Sequence, residues 1–167
     1  LEKIGNSSVA AFAVVRGSDP ERSEGPKARP TPEQAAWQDL ELGLFIHFGM
    51  FVFSSKPVPP PEAYNPDLLD TDQWLEAAKA MGAKYAVFTA KHGTGFMQWQ
   101  SDAYPYSLKR AKWRNGKGDV VKEFVESCHK YGIKPGLYAT VHYNAYWKVF
   151  GGGRVRSGAV SYTHLTL

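Results

Sequence analysis

Three short apolar runs stand out along the chain, separated by two stretches of helical period. Leu44-Phe45-Ile46-His47-Phe48-Gly49, Tyr85-Ala86-Val87-Phe88-Thr89-Ala90 and Pro135–Val141 are too short for helices and read as strands buried on both faces. Between the first two, Trp74, Ala77, Ala78 and Met81 recur at i, i+3, i+4 and i+7, the stripe of an amphipathic helix. Val121, Phe124, Val125 and Cys128 repeat that spacing before the third run. Asp70 with Gln73 forms a capping-box pattern ahead of the first of these helices, and Gly82 and Gly132 are the stop signals. An earlier helix opens at Thr31-Pro32-Glu33-Gln34, an N-cap followed by a Pro at N1 and a Gln at N3, and is expected to reach Asp39.

The resulting order, helix, β, α, β, α, β, is that of an α/β protein with a parallel sheet and right-handed crossovers. It fits an open doubly wound sheet and a barrel equally. No G-x-G-x-x-G follows the first strand, which weighs against a dinucleotide-binding sheet and favours the barrel. The chain has 167 residues, whereas a closed eight-stranded α/β barrel typically needs about 250. The expectation is therefore an incomplete barrel, the first three βα units of a TIM (β/α)8 barrel.

Periodicity is confined to residues 31–150. Residues 1–30 read as a disordered leader or linker, because 16–30 (RGSDPERSEGPKARP) is charged and rich in Pro, Gly and Ser. The apolar run Val9–Val15 leaves a remnant signal peptide open as an alternative. Residues 151–167 change character at Gly151-Gly152-Gly153 and end in SYTHLTL, which looks like translated adapter sequence, so this tail reads as foreign to the barrel.

Charge adds little. The net charge is +4, but residues 31–150 carry 13 Lys and Arg against 12 Asp and Glu. With no basic stripe interleaved with aromatics, nucleic acid is not the expected partner. No apolar run approaches the roughly 18 residues of a membrane span. The single cysteine, Cys128, sits on the apolar side of its helix and indicates no redox compartment.

Candidate chemistry lies in the histidines. In an α/β barrel the active site is built just past the carboxyl ends of the strands, and three of the five histidines fall there: His47, His92 and His142. His129 lies near a helix C-terminus and His164 in the tail, and neither needs a functional account. A metal pocket and a sugar pocket would both use such histidines. Metal sites favour H-x-H or H-E-x-x-H spacing, and neither is present. His92 is followed by Gly93-Thr94-Gly95, expected to be open backbone with room for a ligand, and Trp99, Tyr104, Tyr106 and Trp113 crowd the same loop. The sugar pocket is the favoured reading, without cofactor or metal.

The motifs in this stretch are collinear with those of a known family. Thr31-Pro32-Glu33-Gln34, Leu44-Phe45-Ile46-His47-Phe48-Gly49, Tyr64-Asn65-Pro66, Asp72-Gln73-Trp74, Lys91-His92, Gly95-Phe96 and the run Trp113–Val121 follow one another with matching spacing. From residue 29 to 141 the chain resembles the α-L-fucosidases of glycoside hydrolase family 29. The resemblance implies a retaining exo-glycosidase acting on terminal α-L-fucose of a fucosylated glycan by double displacement. It also implies His47 and His92 as fucose contacts, with Tyr138, His142 and Tyr143 at the third strand's end as further substrate-binding candidates. The family usually carries a second histidine after the one matched by His92; Gly93 stands there. Its Glu-Trp pair would fall near Lys56-Pro57, where neither residue matches, with Glu62 the nearby substitute. The catalytic carboxylates of the family come after the fourth strand, so no catalytic residue is assigned here and this segment alone is expected to be inactive. The family resemblance favours secretion or a periplasmic location and leaves the oligomeric state open. Two rivals stand beside this reading: a metal-dependent TIM-barrel hydrolase using His47, His92 and His142, and a non-catalytic sugar-binding barrel.

Overall fold

The computed structural model describes residues 29–150. The leader expected over residues 1–30, apart from Arg29 and Pro30, and the tail expected over 151–167 lie outside them. The elements run α1 (Pro32–Gln38), β1 (Gly43–Ile46), α2 (Thr71–Ala80), β2 (Tyr85–Lys91), α3 (Val120–Tyr131) and β3 (Lys134–Ala139), followed by the short strands β4 (Tyr143–Asn144) and β5 (Val149–Phe150). Single 3-10 turns at Met50–Val52, Pro61–Ala63 and Leu108–Arg110, and a kinked turn at Trp113–Gly116 with Arg114 and Asn115 left-handed, shape the long connections.

Helix starts are set by local side-chain chemistry. Thr31 accepts from the Gln34 amide while the Gln34 side chain accepts from the Thr31 amide, a complete capping box. Asp70 and Asp119 cap α2 and α3 by accepting from the amides of Gln73 and Lys122. A left-handed Gly132, at φ 69°, ends α3.

The three main strands form a parallel sheet in the order β1-β2-β3, with Phe45 level with Val87, and Val87 level with Gly136. The chain is thus an α/β unit with a parallel sheet. Helices α2 and α3 pack together on one face, where Phe88 meets Trp74 and Phe124 at ring separations of 6.0 and 5.3 Å. Ala86, Phe88, Leu75 and Phe124 are fully enclosed there, each large side chain worth about 1.5–3 kcal/mol of burial.

The other face departs from the sequence expectation. The strands are not buried on both sides: Phe45 is 54% exposed and its neighbour Val87 only half-buried. The apolar run at 44–49 is also longer than its strand, because β1 ends at Ile46 and the chain turns at Gly49 into a 3-10 turn. The stripe of α2 is rotated as well. Thr71, Leu75 and Ala78 are its buried positions, whereas Ala77 is exposed and Met81 is 57% exposed. Thr71 is drawn inward because its hydroxyl meets those of α3, bonding Ser127 Oγ at 2.8 Å.

The long segment between β2 and α3 folds back as part of the core. Tyr104, Tyr106 and Trp113 are buried, so these aromatics fill the interior and do not offer ring faces to a ligand. Gly93-Thr94-Gly95 is not open either. The β4-β5 hairpin, which the periodicity did not reveal, seats on it: the Ala145 and Tyr146 amides donate to the carbonyls of Gly93 and Thr94 at 2.8 and 3.2 Å. Asn144 Nδ2 and Tyr104 Oη are 3.0 Å apart beneath the turn.

Candidate functional site

His47 follows the last residue of β1, His92 the last of β2, and Tyr138 lies near the end of β3. Because the strands are parallel and adjacent, their carboxyl ends bring the three side chains to one edge of the open face. The His47 and His92 rings are 4.5 Å apart at 68°, and His92 is 5.6 Å from Tyr138. Phe51 and Phe45 complete an aromatic wall: Phe51 is 4.9 Å from His47, and Phe45 is 5.7 Å from Tyr138, edge-on. Two polar imidazoles inside a ring of apolar faces offer directional hydrogen bonds and flat surfaces together, the combination a sugar needs.

His92 is partly enclosed. Burial, then the neighbouring His47 and Lys91, hold its pKa below the ordinary 6.5, so its imidazole is neutral at pH 7 and presents one donor and one acceptor. Lys91 beside it is buried, its ammonium donating to the Thr140 carbonyl, and burial lowers its pKa. That bond ties the end of β2 to the segment leaving β3.

The other two candidates sit apart from this cluster. Tyr143 lies over Gly93, close enough that a Cβ built there would be 3.0 Å from its ring. His142 is exposed on the segment between β3 and β4. Glu62 is exposed in the Pro61–Ala63 turn. Among the described residues no group of three or more His, Cys, Asp or Glu is placed to hold a metal ion.

Several residues that shape the site were not legible in advance. Phe51 and Phe45 read as ordinary strand or loop hydrophobes. Thr89 and Gln98 bind the backbone just after His47: Thr89 Oγ1 donates to the Phe48 carbonyl at 2.8 Å, and Gln98 Nε2 donates to the same carbonyl at 2.9 Å. Those partners are 41 and 50 residues apart in sequence, and no short motif marks them.

A family model described as alpha-L-fucosidase matches residues 60–156. The chain belongs to the alpha-L-fucosidase family. The stretch matched to the fucosidases includes His92, Tyr138, His142 and Tyr143 and begins after His47. Alpha-L-fucosidase 1 of Arabidopsis thaliana is 38% identical over 113 residues, covering 65% of this chain and 22% of that protein. A solved Bacteroides thetaiotaomicron protein assigned as an alpha-L-fucosidase is 46% identical, with a TM-score of 0.64 over 70% of this chain and 30% of that one. A glycoside hydrolase 29 family member from an unknown rumen bacterium is 38% identical, with a TM-score of 0.62, covering 66% of this chain and 21% of that one. The chain therefore spans about a fifth to a third of the length of these fucosidase relatives.

Proposed function

We propose that the full-length protein is a retaining exo-α-L-fucosidase, that β1, β2 and β3 are the first three strands of its (β/α)8 barrel, and that His47 and His92 hydrogen-bond the fucose. The observation that carries this is the facing pair of imidazoles, 4.5 Å apart, at the carboxyl ends of adjacent parallel strands. A family membership shared with alpha-L-fucosidases supports it, as does the position, since barrel active sites gather at that end. The half-exposed face carrying Phe45 and Val87 then becomes the barrel interior, covered by the remaining strands.

In this reading the two imidazoles select hydroxyl positions, and Phe45, Phe51 and Tyr138 line the apolar side of the sugar. Tyr143, over Gly93, and His142, on the exposed segment after β3, lie apart from the imidazole pair and are assigned no contact with the sugar in this reading. Neutral His92 accepts from one hydroxyl or donates to another without placing a buried charge beside His47 and Lys91. The chemistry is a double displacement. One carboxylate attacks the anomeric carbon as the glycosidic oxygen leaves with a proton from a carboxylic acid, and water then releases fucose, with the carboxyl groups about 5–5.5 Å apart. Both groups come from parts of the full-length protein outside residues 29–150, and the substrate is the fucosylated end of a glycan.

The test is hydrolysis of an aryl α-L-fucoside by the full-length protein, with the product anomer followed by proton NMR. The expected result is release of the aryl group with α-L-fucose appearing first. Inversion, or turnover no faster than buffer, would overturn it. The non-catalytic sugar-binding reading, which Gly93 and Lys56-Pro57 favour by departing from the family pattern, expects binding of L-fucose without turnover.

A further inference from the structure

Gln98 is 2% exposed, yet its side-chain amide uses three hydrogen bonds. Its Nε2 donates to the carbonyls of Phe48 and Thr89, at 2.9 and 2.6 Å, and its Oε1 accepts from Tyr64 Oη at 2.5 Å. The amide orientation is fixed by those partners, since two carbonyls need donors and the buried phenol is a donor. Burial, reinforced by Glu123, raises the Tyr64 pKa far above its ordinary value, so it keeps that proton. Gln98's own backbone is anchored too, its amide donating to Ala90 at 3.1 Å and its carbonyl accepting from Val120 at 3.1 Å.

The placement of these bonds matters. The backbone ladder between β1 and β2 ends at the pair Ile46 and Phe88. Past that point, the chain carrying His47 and Phe48 is held to the chain leading to His92 by side chains. Thr89 Oγ1 donates to the Phe48 carbonyl at 2.8 Å and accepts from its amide at 3.2 Å, and Gln98 bonds the same carbonyl and the Thr89 carbonyl next to it. Phe48 adjoins His47, and Ala90 lies two residues before His92.

We infer that Gln98 is a positioning residue, clamping the ends of β1 and β2 so that the His47 and His92 imidazoles stay at the separation needed to grip one sugar. This rests on the fucosidase reading for its catalytic consequence but not for its geometry. Thr89 and Tyr64 are the clamp's supports: Thr89 shares the Phe48 peptide with it, and Tyr64 fixes which way its amide faces. Asparagine, one methylene shorter, does not span both carbonyls from the same backbone, and leucine fills the volume without bonding.

The experiment is a double-mutant cycle in the full-length protein, assayed on an aryl α-L-fucoside. Displacing a substrate-gripping group by about 1 Å costs up to roughly a hundredfold, so Gln98→Leu is expected to lower kcat/KM by about ten- to a hundredfold, with much of it in KM. In a His47→Ala background the same change is expected to cost less than about threefold, because its effect passes through the imidazole already removed. Equal costs in the two backgrounds, or no cost in the wild type, overturn the inference. Thr89→Val and Tyr64→Phe nearly preserve volume and remain informative if Gln98→Leu does not fold; both are expected to reduce kcat/KM in the same direction and by less. A crystal structure of Gln98→Leu or Thr89→Val supplies a readout independent of turnover. The ring separation is expected to rise from 4.5 Å, and an unchanged separation refutes the clamp whatever the protein hydrolyses. If the wild-type protein does not cleave the fucoside, the fucosidase reading fails while this geometric test still decides the clamp.

Discussion

Gly95 offers a sharp test of how the hairpin is seated beside the site. It adopts φ +88°, and a Cβ built on it would lie 2.2 Å from Asn144 Oδ1, 2.9 Å from Asn144 Cγ and 3.0 Å from Tyr104 Oη. Gly82 and Gly132, at φ +84° and +69°, have the same backbone sign but nothing within 4 Å of such an atom. The three Gly→Ala changes therefore share the left-handed cost, about 1–2 kcal/mol, offset by about 0.4–1 kcal/mol from the less flexible unfolded chain. Gly82→Ala and Gly132→Ala should each destabilise by roughly 1 kcal/mol on that arithmetic. Gly95→Ala must also expel Asn144, which bonds Tyr104 Oη at 3.0 Å and accepts from the Trp147 amide at 3.1 Å. Two bonds, one buried and one partly buried, at about 1 kcal/mol each bring its total to about 3 kcal/mol. Urea unfolding of the full-length protein and its three variants, followed by tryptophan fluorescence, measures the difference. If Gly95→Ala costs no more than Gly82→Ala, the packing of Asn144 against this turn is wrong.

Three further outcomes are expected. In the full-length protein His47→Ala should lower kcat/KM on an aryl α-L-fucoside at least about tenfold, the loss of one good hydrogen bond of ~1.4 kcal/mol in the transition state; an unchanged value removes His47 from the site. Gly93→His should tighten L-fucose binding in calorimetry, with the Tyr143 ring, 3.0 Å from the new Cβ, moving aside by a few tenths of an ångström; no gain in affinity means this loop serves another ligand. His92 holds fewer protons in the folded state than in the unfolded chain, because its pKa is lowered from 6.5. Its contribution to stability is complete above that unfolded value and is lost as pH falls from there through the folded one. The drop in urea midpoint between pH 7.5 and pH 5 should shrink in His92→Gln, and an identical drop refutes the partly enclosed neutral imidazole.

Local signals in the sequence were reliable where the physics is local. The N-caps at Thr31 and Asp70 and the stops at Gly82 and Gly132 each depend on a few neighbouring residues, so these helix starts and ends were readable. The order of elements followed from alternating periods, and His47 and His92 were placed together because parallel strands align their carboxyl ends; the same reasoning put His142 with them, whereas it lies exposed on the segment after β3. The stripe of α2 was misread because Thr71 is polar by composition but buried by its bond to Ser127 on another helix. The turn after His92 looked open because its cover, the hairpin at 143–150, is two residues per strand, too short to show a period. Tyr104, Tyr106 and Trp113 of the 91–117 segment could have lined a ligand or filled a core, and only the tertiary fold decides for the core. Gln98 looked like any polar residue in a loop, since its partners Phe48 and Tyr64 lie 50 and 34 residues away.

The most direct measurement is a crystal structure of the full-length protein with L-fucose bound. The sugar is expected at the carboxyl end of β1 and β2, with hydroxyls about 2.7–3.2 Å from ring nitrogens of both His47 and His92 and its apolar side toward Phe51 or Tyr138. Fucose bound elsewhere, or a metal ion held between His47 and His92, would contradict the account.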